Sequence, residues 1–354
     1  MKFLRRNEES KRSINSNTFL LFITIGLFAA MYIAGMIIFE DKGFAKPQMF
    51  LNLFISNAGL LVIAVGQTIV MITGGIDISV GSVTALVCMA VANQMEHHGM
   101  NAYMAVLLAL FIGVAYGVVQ GFLISYLEIQ PFIVSLAGLF FGRGLTSMIS
   151  TEMISIKNKT FLAWANYKIY LPIGSYSRRG KFLPAYIYPT VIIALLIVII
   201  VAVIMKYTKF GREVYAVGGN AQSAMMMGLN VRKTKFKAYL LNGLLAGCGG
   251  FLFCLNSCSG FVEQAKGLEM DAISASVIGG TLLSGGVKLV GTNRTFRTAL
   301  LLYCITGCVS THEKKESQLT RVGIRGRDGF LWTRSKKESK KEEQRLVSNL
   351  VRPE

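Results

Sequence analysis

Charged side chains are scarce in this chain of 354 residues: Asp, Glu, Lys and Arg make up 16% of it, while 53% is apolar and the mean hydropathy is +0.50. A soluble domain carries about a quarter charged residues. Most of the uncharged runs reach the roughly 20 residues that a helix needs to cross a membrane. The six runs are 18–39, 47–76, 78–95, 97–127, 182–205 and 238–262. They exclude a soluble globular protein and predict an all-α, polytopic transmembrane helical bundle.

The sequence also lacks the usual marks of a metal, cofactor or catalytic site. Its six cysteines lie mostly in apolar runs and form no CxxC pair, and His97 and His98 have no third ligand nearby. The segment 286–292 has the outline of a phosphate loop but no Lys before its Thr. Asp77, Asp271 and Arg143 show no catalytic spacing. We therefore expect no bound cofactor, no metal and no enzymatic activity in this chain.

Acidic residues are few relative to basic ones, which gives a formal net charge of +18. Nucleic-acid binding is disfavoured because the basic residues stand between apolar runs and in the C-terminal tail. Lys and Arg in short loops mark the cytoplasmic side of a membrane protein. The basic N-terminus, 1–17, and the loop 206–237 with its seven Lys and Arg are thus predicted to be cytoplasmic. The external segment 151–185 is also basic, which conflicts with this rule.

The apolar runs predict an alternating path across the membrane. Helices are expected over 18–39, 51–73, 80–93, 103–125, 131–150, 186–205 and 238–257. The Gly- and Ser-rich stretch 271–287 is shorter and interrupted, which favours a re-entrant or discontinuous helix. Such backbone is tolerated at membrane depth only inside protein or beside a wet cavity.

Three segments break the apolar pattern with small and polar residues. The first joins Gly66-Gln67-Thr68 to 73–82, where Asp77 follows a glycine pair. An ionisable group at membrane depth is costly and points to function, so one interpretation is a broken helix beside a solute pathway. The other is a tight turn at the inner surface in which Asp77 caps the next helix.

The second segment, 210–231, lies in the predicted cytoplasmic loop. Asn220 can cap a short helix and Gly228 can end it. Three successive methionines, 225–227, suggest an adaptable contact surface for a partner. The alternative is a loop helix that packs on its own protein.

The third segment, 271–286, combines Ser and Ala with two glycine pairs. Small residues permit close helix contact, and glycine pairs permit an unwound bend. Pathway lining and tight packing both account for this composition.

Together these segments resemble the permease subunits of bacterial ABC importers for monosaccharides, the ribose, xylose and galactose group. The segments 130–138 and 143–145 are similar to that family as well. The amino-acid sequences of 218–224 and 267–273 are most similar to those of galactofuranose-type members, which work as a pair of unlike permeases. The resemblance covers about 18–287, which we take as the transmembrane permease domain.

The resemblance implies a protein of the bacterial cytoplasmic membrane with three kinds of partner. These are a second permease, like or unlike; a cytoplasmic ATP-binding subunit; and an extracytoplasmic sugar-binding protein. It further implies that the loop helix couples to the ATPase, through Asn220, Ala224, Met225, Met226, Met227, Gly228 and Leu229. Relatives often carry acids and an arginine where this chain has Ala221, Gln222 and Met225. Apolar contact is therefore expected to dominate docking.

Five polar side chains are candidates for the translocation pathway: Gln67, Asp77, Gln120, Arg143 and Asn242. An ion-coupled secondary transporter of a small polar solute is the alternative function, since such carriers also use broken helices and buried acids. That class does not need a capped, Met-rich cytoplasmic helix. A membrane-embedded enzyme would need convergent polar residues at one depth.

The tail, 288–354, departs from the family. It holds fifteen Lys and Arg and one apolar run, 298–309, which is below spanning length. Its charge-rich remainder is typical of disorder. A frameshift or replaced C-terminus is one hypothesis, and a cytoplasmic basic tail beside the anionic leaflet is the other. An apolar, Gly-rich continuation in another reading frame after Val287 would support the frameshift.

Overall fold

The computed structural model describes residues 26, 29–30, 32–37, 46–176, 182–282 and 285–286. Predictions about the basic N-terminus and about the tail after Val287 lie outside these residues. Of the first predicted span, 26, 29–30 and 32–37 are described, and they are helical.

The described chain is mainly helical. The long helices are α1 (Pro47–Ile72), α2 (Val80–His97), α3 (Ala102–Ser125), α4 (Pro131–Ile149), α6 (Pro189–Tyr207) and α9 (Val231–Ser257). The shorter ones are α5 (Lys159–Asn166), α7 (Lys209–Gly219), α8 (Ala221–Met226) and α10 (Leu268–Ile278). The strands are β1 (Ile154–Ser155), β2 (Ile169–Tyr176), β3 (Phe182–Ile187) and β4 (Ser259–Gly260).

Within the described residues, five helices are long and apolar enough to cross a membrane: α1, α3, α4, α6 and α9. This confirms a polytopic helical membrane protein. Helix α2 is outside this group, yet it is buried along most of its length against α3, α4 and α9. Its sequence is not apolar enough to join the five, because protein, rather than lipid, surrounds this helix.

Proline and polar caps set several helix starts. Pro47, Pro131 and Pro189 stand in the first turns of α1, α4 and α6, where no backbone N–H is required. The Asn230 side chain accepts a hydrogen bond from Lys233 N at 3.0 Å and caps α9. Helix α9 therefore begins seven residues before the uncharged run at 238, and its basic first turns project out of the apolar span.

Helix α9 is the centre of the bundle, and its closest neighbour is α3. Both carry glycines four residues apart: Gly113 and Gly117 on α3, Gly243 and Gly247 on α9. A Cβ on Gly243 would lie 2.6 Å from Gly117 Cα, and one on Gly113 would lie 2.8 Å from Gly247 Cα. Backbone meets backbone here, as in small-residue contacts between membrane helices. The spacing of these glycines is visible in the sequence, although the predicted bundle did not rest on it.

Two antiparallel strand pairs accompany the bundle. In the segment between α5 and α6, β2 pairs with β3, and Tyr170 faces Tyr186. Strand β1 pairs with β4, with Ile154 opposite Gly260, and so ties the start of the same segment to the end of α9. No strand was predicted in the segment 151–185.

The chain between β4 and α10 turns back along α2. A Cβ on Gly260 would lie 2.7 Å from Met89 Cα, and one on Gly81 would lie 3.0 Å from Ala265 O. Since a helix rises about 1.5 Å per residue, five residues of chain descend roughly 12 Å. Irregular backbone thus precedes α10, and it also follows α10 within the predicted stretch 271–287, because the helix ends at Ile278 and Gly280 and Gly286 have left-handed φ angles of 100° and 79°.

The α3–α9 contact leads to a stability prediction. Gly243→Ala should lower the free energy of unfolding by about 1–3 kcal/mol, the range for overpacking, because the added methyl meets backbone. Thermal unfolding in detergent measures this change.

Gly144→Ala is the control, since a Cβ there meets nothing within 4 Å. It should leave the midpoint unchanged or slightly raised, as alanine favours helix over glycine. Equal midpoints for the two variants would contradict the tight contact.

Candidate functional site

The break between α1 and α2 places an acidic side chain inside the protein. Helix α1 ends at Ile72 with Thr73 as its C-cap, and Gly74 adopts a left-handed φ of 83° that reverses the chain. Residues 75–78 have no regular structure, yet Asp77 is only 3% exposed. A buried carboxylate requires strong hydrogen bonds to offset lost hydration.

The Asp77 carboxylate receives three such bonds. Oδ1 accepts from Ser79 N at 2.9 Å and from Ser79 Oγ at 2.6 Å. Oδ2 accepts from Asn242 Nδ2 at 2.6 Å. The local bonds to Ser79 fit the turn interpretation, but the bond to Asn242 joins the break to the central helix α9.

Two glutamines complete the network. Gln120 Nε2 on α3 donates to Ser79 Oγ at 2.7 Å. The Gln67 amide, oriented by its hydrogen bonds, donates to Asp77 O at 3.0 Å and accepts from Asp77 N at 3.2 Å. We call Gln67, Asp77, Ser79, Gln120 and Asn242 the Asp77 cluster.

Glycines allow the helices to approach this cluster. A Cβ on Gly66 would lie 2.6 Å from Asn242 Oδ1, and one on Gly138 of α4 would lie 2.5 Å from Gln120 Nε2. Because glycine has no side chain, Gly66 and Gly138 leave room on α1 and α4 for the side chains of Asn242 and Gln120.

Four of the five predicted pathway residues thus meet in one place, and all are at most 4% exposed. In this conformation they bind one another and the broken backbone, so a solute has no access to them. Their role in a pathway stays a prediction. Ser79 was not among the predicted site residues, although it bridges Asp77 and Gln120 from within the segment 73–82 that the sequence marks.

Tyr239 is a second residue that was not predicted. It lies one turn before Asn242 on α9, is 1% exposed, and its hydroxyl crowds Gly75. Among the described residues, Tyr239 Oη and Asn242 Oδ1 find no hydrogen-bond partner. A single tyrosine in an apolar run has no sequence feature that distinguishes a functional residue from one that only packs in the core.

Arg143, the fifth candidate, lies apart from this cluster. Its Nη1 donates to Val262 O at 2.7 Å and to Gln264 O at 2.6 Å, in the chain that turns back along α2. Arg143 stands twelve residues into α4, about 18 Å from its start. The guanidinium therefore fastens irregular backbone at membrane depth.

The loop between α6 and α9 contains the predicted short helix and one more. Asn220 Oδ1 accepts from Ser223 N at 2.9 Å and caps α8. Gly228, with φ 80°, ends it in a Schellman motif: Leu229 N donates to Ala224 O, and Gly228 N to Met225 O. Both predicted ends of the helix are confirmed. The preceding helix α7 was not predicted.

One face of α8 is held and the other is free. Ala224 is fully buried, whereas Met225, Met226 and Met227 are 65%, 81% and 69% exposed. The part of the chain that the structure describes leaves the three methionines exposed, which favours a surface for another molecule.

The loop touches the end of α1. A Cβ on Gly218 of α7 would collide with Ile72 O, and Gly286 N donates to the same oxygen at 3.0 Å. The loop, the end of α1 and the chain after α10 thus meet immediately before the break that carries Asp77.

The bundle, the buried break and the exposed loop helix define the class of this chain: a multi-pass membrane protein. A family model described as the permease component of the branched-chain amino acid transport system matches residues 49–300. The chain belongs to this permease family. The match ends thirteen residues beyond the boundary that we placed at Val287.

Three similar proteins are permeases by name. The chain is 38% identical to the inner membrane ABC transporter permease protein YjfF of Escherichia coli K12, over 76% of its length and 78% of YjfF. It is 33% identical to the fructose import permease protein FruG of Bifidobacterium longum, over 75% and 76% of the two chains. It is also 33% identical to the ribose import permease protein RbsC of E. coli K12, over 75% and 80%. No solved structure matches the chain.

The Asp77–Asn242 bond can be tested by exchange. Asn242→Asp opposes two carboxylates and should lower the free energy of unfolding by about 1–3 kcal/mol. Asp77→Asn should cost less, because it removes the charge that strengthens these bonds but the Asn242 amide can turn its Oδ1 toward the new donor. The double variant restores one donor and one acceptor.

We expect the double variant to recover most of the thermal midpoint that either single change loses. Additive losses in the double-mutant cycle would show that the two side chains do not interact.

Proposed function

We propose that this chain is the membrane-spanning permease subunit of an ATP-driven monosaccharide importer in a bacterial cytoplasmic membrane. The observation that carries the proposal is the 33% identity to a fructose and a ribose import permease, beside 38% identity to an ABC transporter permease, each over about three quarters of the chain. The name of the matched family refers to amino acids. The named substrates of the relatives, ribose and fructose, favour a sugar.

ATP hydrolysis is assigned to a separate cytoplasmic subunit that docks on α8. Three exposed methionines offer a flexible apolar surface, and the capped ends hold the helix in one orientation. Because no acidic or basic side chain stands between Asn220 and Leu229, apolar contact supplies most of the docking energy.

A displacement of α8 has a short physical route to the buried break. Ala224 anchors α8, α7 precedes it directly, and Gly218 of α7 contacts Ile72. One residue later, Thr73 begins the segment that holds Asp77. We propose that movement of the ATPase reaches the Asp77 cluster by this route, and that opening the cluster exposes its polar groups to the solute.

The remaining partners are a second permease and an extracytoplasmic sugar-binding protein. Helix α4 exposes Phe140, Phe141 and Met148 at 62–83%, which suits either lipid or a second permease. The binding protein is proposed to select the sugar, since the cluster is closed to solute in this conformation.

Uptake into vesicles tests the assignment. Sugar accumulation should require ATP and the ATP-binding subunit, together with the binding protein. Uptake driven by an ion gradient alone, without the ATPase, would replace this proposal with the secondary-transporter alternative.

The coupling role of α8 predicts a local mutational effect. Met226→Glu should reduce ATP-dependent uptake and co-purification of the ATPase at least tenfold, because a charge would be buried in an apolar contact. Thermal stability should be unchanged, since this side chain is 81% exposed.

Met153→Glu is the matched control, because Met153 is 64% exposed in the segment predicted to be external. It should leave both readouts intact. Orientation is checked separately with Met226→Cys: labelling by an impermeant reagent from outside intact cells would place α8 on the wrong side and reject the coupling role.

A further inference from the structure

A cavity of about 560 Å³ opens at the end of the bundle opposite α8. Its described lining comes from α3, α5, α6 and α9, and most of those side chains are aliphatic or aromatic. The volume falls within the range of sites that hold small organic ligands, about 300–1,000 Å³. It is a formed site outside the Asp77 cluster.

The walls are open to the surroundings of the bundle. Ile193 of α6 is 46% exposed, and Tyr167, just after α5, is 62% exposed. Cys248 and Leu252 of α9 form the deeper wall. In a membrane protein, an apolar cavity with a lateral opening faces hydrocarbon chains, and water does not fill such a space.

Helix α5 forms a roof with the composition of a membrane interface. Asn158 caps it, and the buried Phe161 anchors it edge-on against Phe251, with ring centroids 6.1 Å apart. Trp164, which lines the cavity, contacts Tyr103 at 4.9 Å. Trp and Tyr concentrate where acyl chains meet headgroups.

Positive charge brackets this roof. Lys159 is exposed and lies one helical turn from the lining residue Ala163, on the same face. Lys168 directly follows Tyr167, with its Nζ 4.5 Å from the Tyr186 ring centroid. These lysines belong to the segment whose basic character conflicts with its predicted external position. An anionic lipid headgroup would account for that charge.

We propose that the cavity binds one anionic phospholipid of the surrounding bilayer. An acyl chain fills the apolar space between α3, α6 and α9, and the phosphate group lies between Lys159 and Lys168. The lipid thereby fastens α5 to the bundle.

Fluorescence quenching of Trp164 by brominated lipids tests this site. The chain has two tryptophans, so Trp332→Phe leaves Trp164 as the single reporter in the full-length protein. The protein is reconstituted with phosphatidylglycerol or phosphatidylcholine brominated in one acyl chain. We expect saturable quenching at a lower mole fraction of phosphatidylglycerol.

Two kinds of variant locate the contact. Cys248→Phe from the wall and Ala163→Phe from the roof should each abolish the saturable component. Ile200→Phe, which adds the same ring to an exposed position of α6 outside the cavity, should keep it. Lys159→Ala with Lys168→Ala should reduce the preference for phosphatidylglycerol by roughly tenfold or more, whereas Lys209→Ala on the opposite side should not.

Quenching that merely follows the bulk fraction of brominated lipid, unchanged by the filling variants, would overturn the proposal. Absence of quenching by either lipid would also overturn it, because a protein segment or a second subunit would then cover Trp164. Quenching of a filling variant is interpreted only if its thermal midpoint equals that of the unfilled protein. If both unfold, loss of the phosphatidylglycerol preference in the lysine variant decides the matter.

Discussion

The arrangement of this permease depends on how one carboxylate is satisfied away from water. Asp77 accepts three hydrogen bonds through its side chain, and Gln67 pairs with its backbone. The bond from Asn242 brings the break after α1 onto α9, and the bond from Gln120 to Ser79 brings it onto α3. Without them, the free backbone at 75–78 would face apolar helices. The glycines at 66 and 138 are consequences of the same requirement, since they leave room for polar side chains.

Two ends of the molecule have different surfaces. At one end, the exposed methionines of α8 adjoin α7, whose Gly218 lies against the last turn of α1. At the other, α5 and the paired strands lie over the bundle, and Arg143 holds the returning chain at intermediate depth. The Asp77 cluster lies between these regions. This separation fits the proposed importer, in which energy input and solute entry occur on opposite sides of the membrane.

Much of this could be predicted from the sequence, and the exceptions have physical causes. Hydropathy located the spans, and cap residues fixed both ends of α8, because these signals are local. Four pathway candidates shared one site since polar groups in apolar helices seek each other. The position of Arg143 was not predictable because it is set by a bond to Val262 O, 119 residues later in the chain. Helix α7 resembled a loop because its sequence is only partly apolar. The strands between α4 and α6 form outside the bundle, where hydropathy gives little guidance.

The glycine contact between α3 and α9 has a further consequence for motion. Backbones in direct contact cannot slide without lifting apart, so these two helices form a stator that keeps its shape during a transport cycle. Rearrangement must then be taken up elsewhere, and residues 75–78, which have no regular structure, are placed to move. Gln120 and Asn242 belong to that stator, whereas Asp77 and Ser79 lie on the break, so the cluster would open by separating the break from two fixed amides.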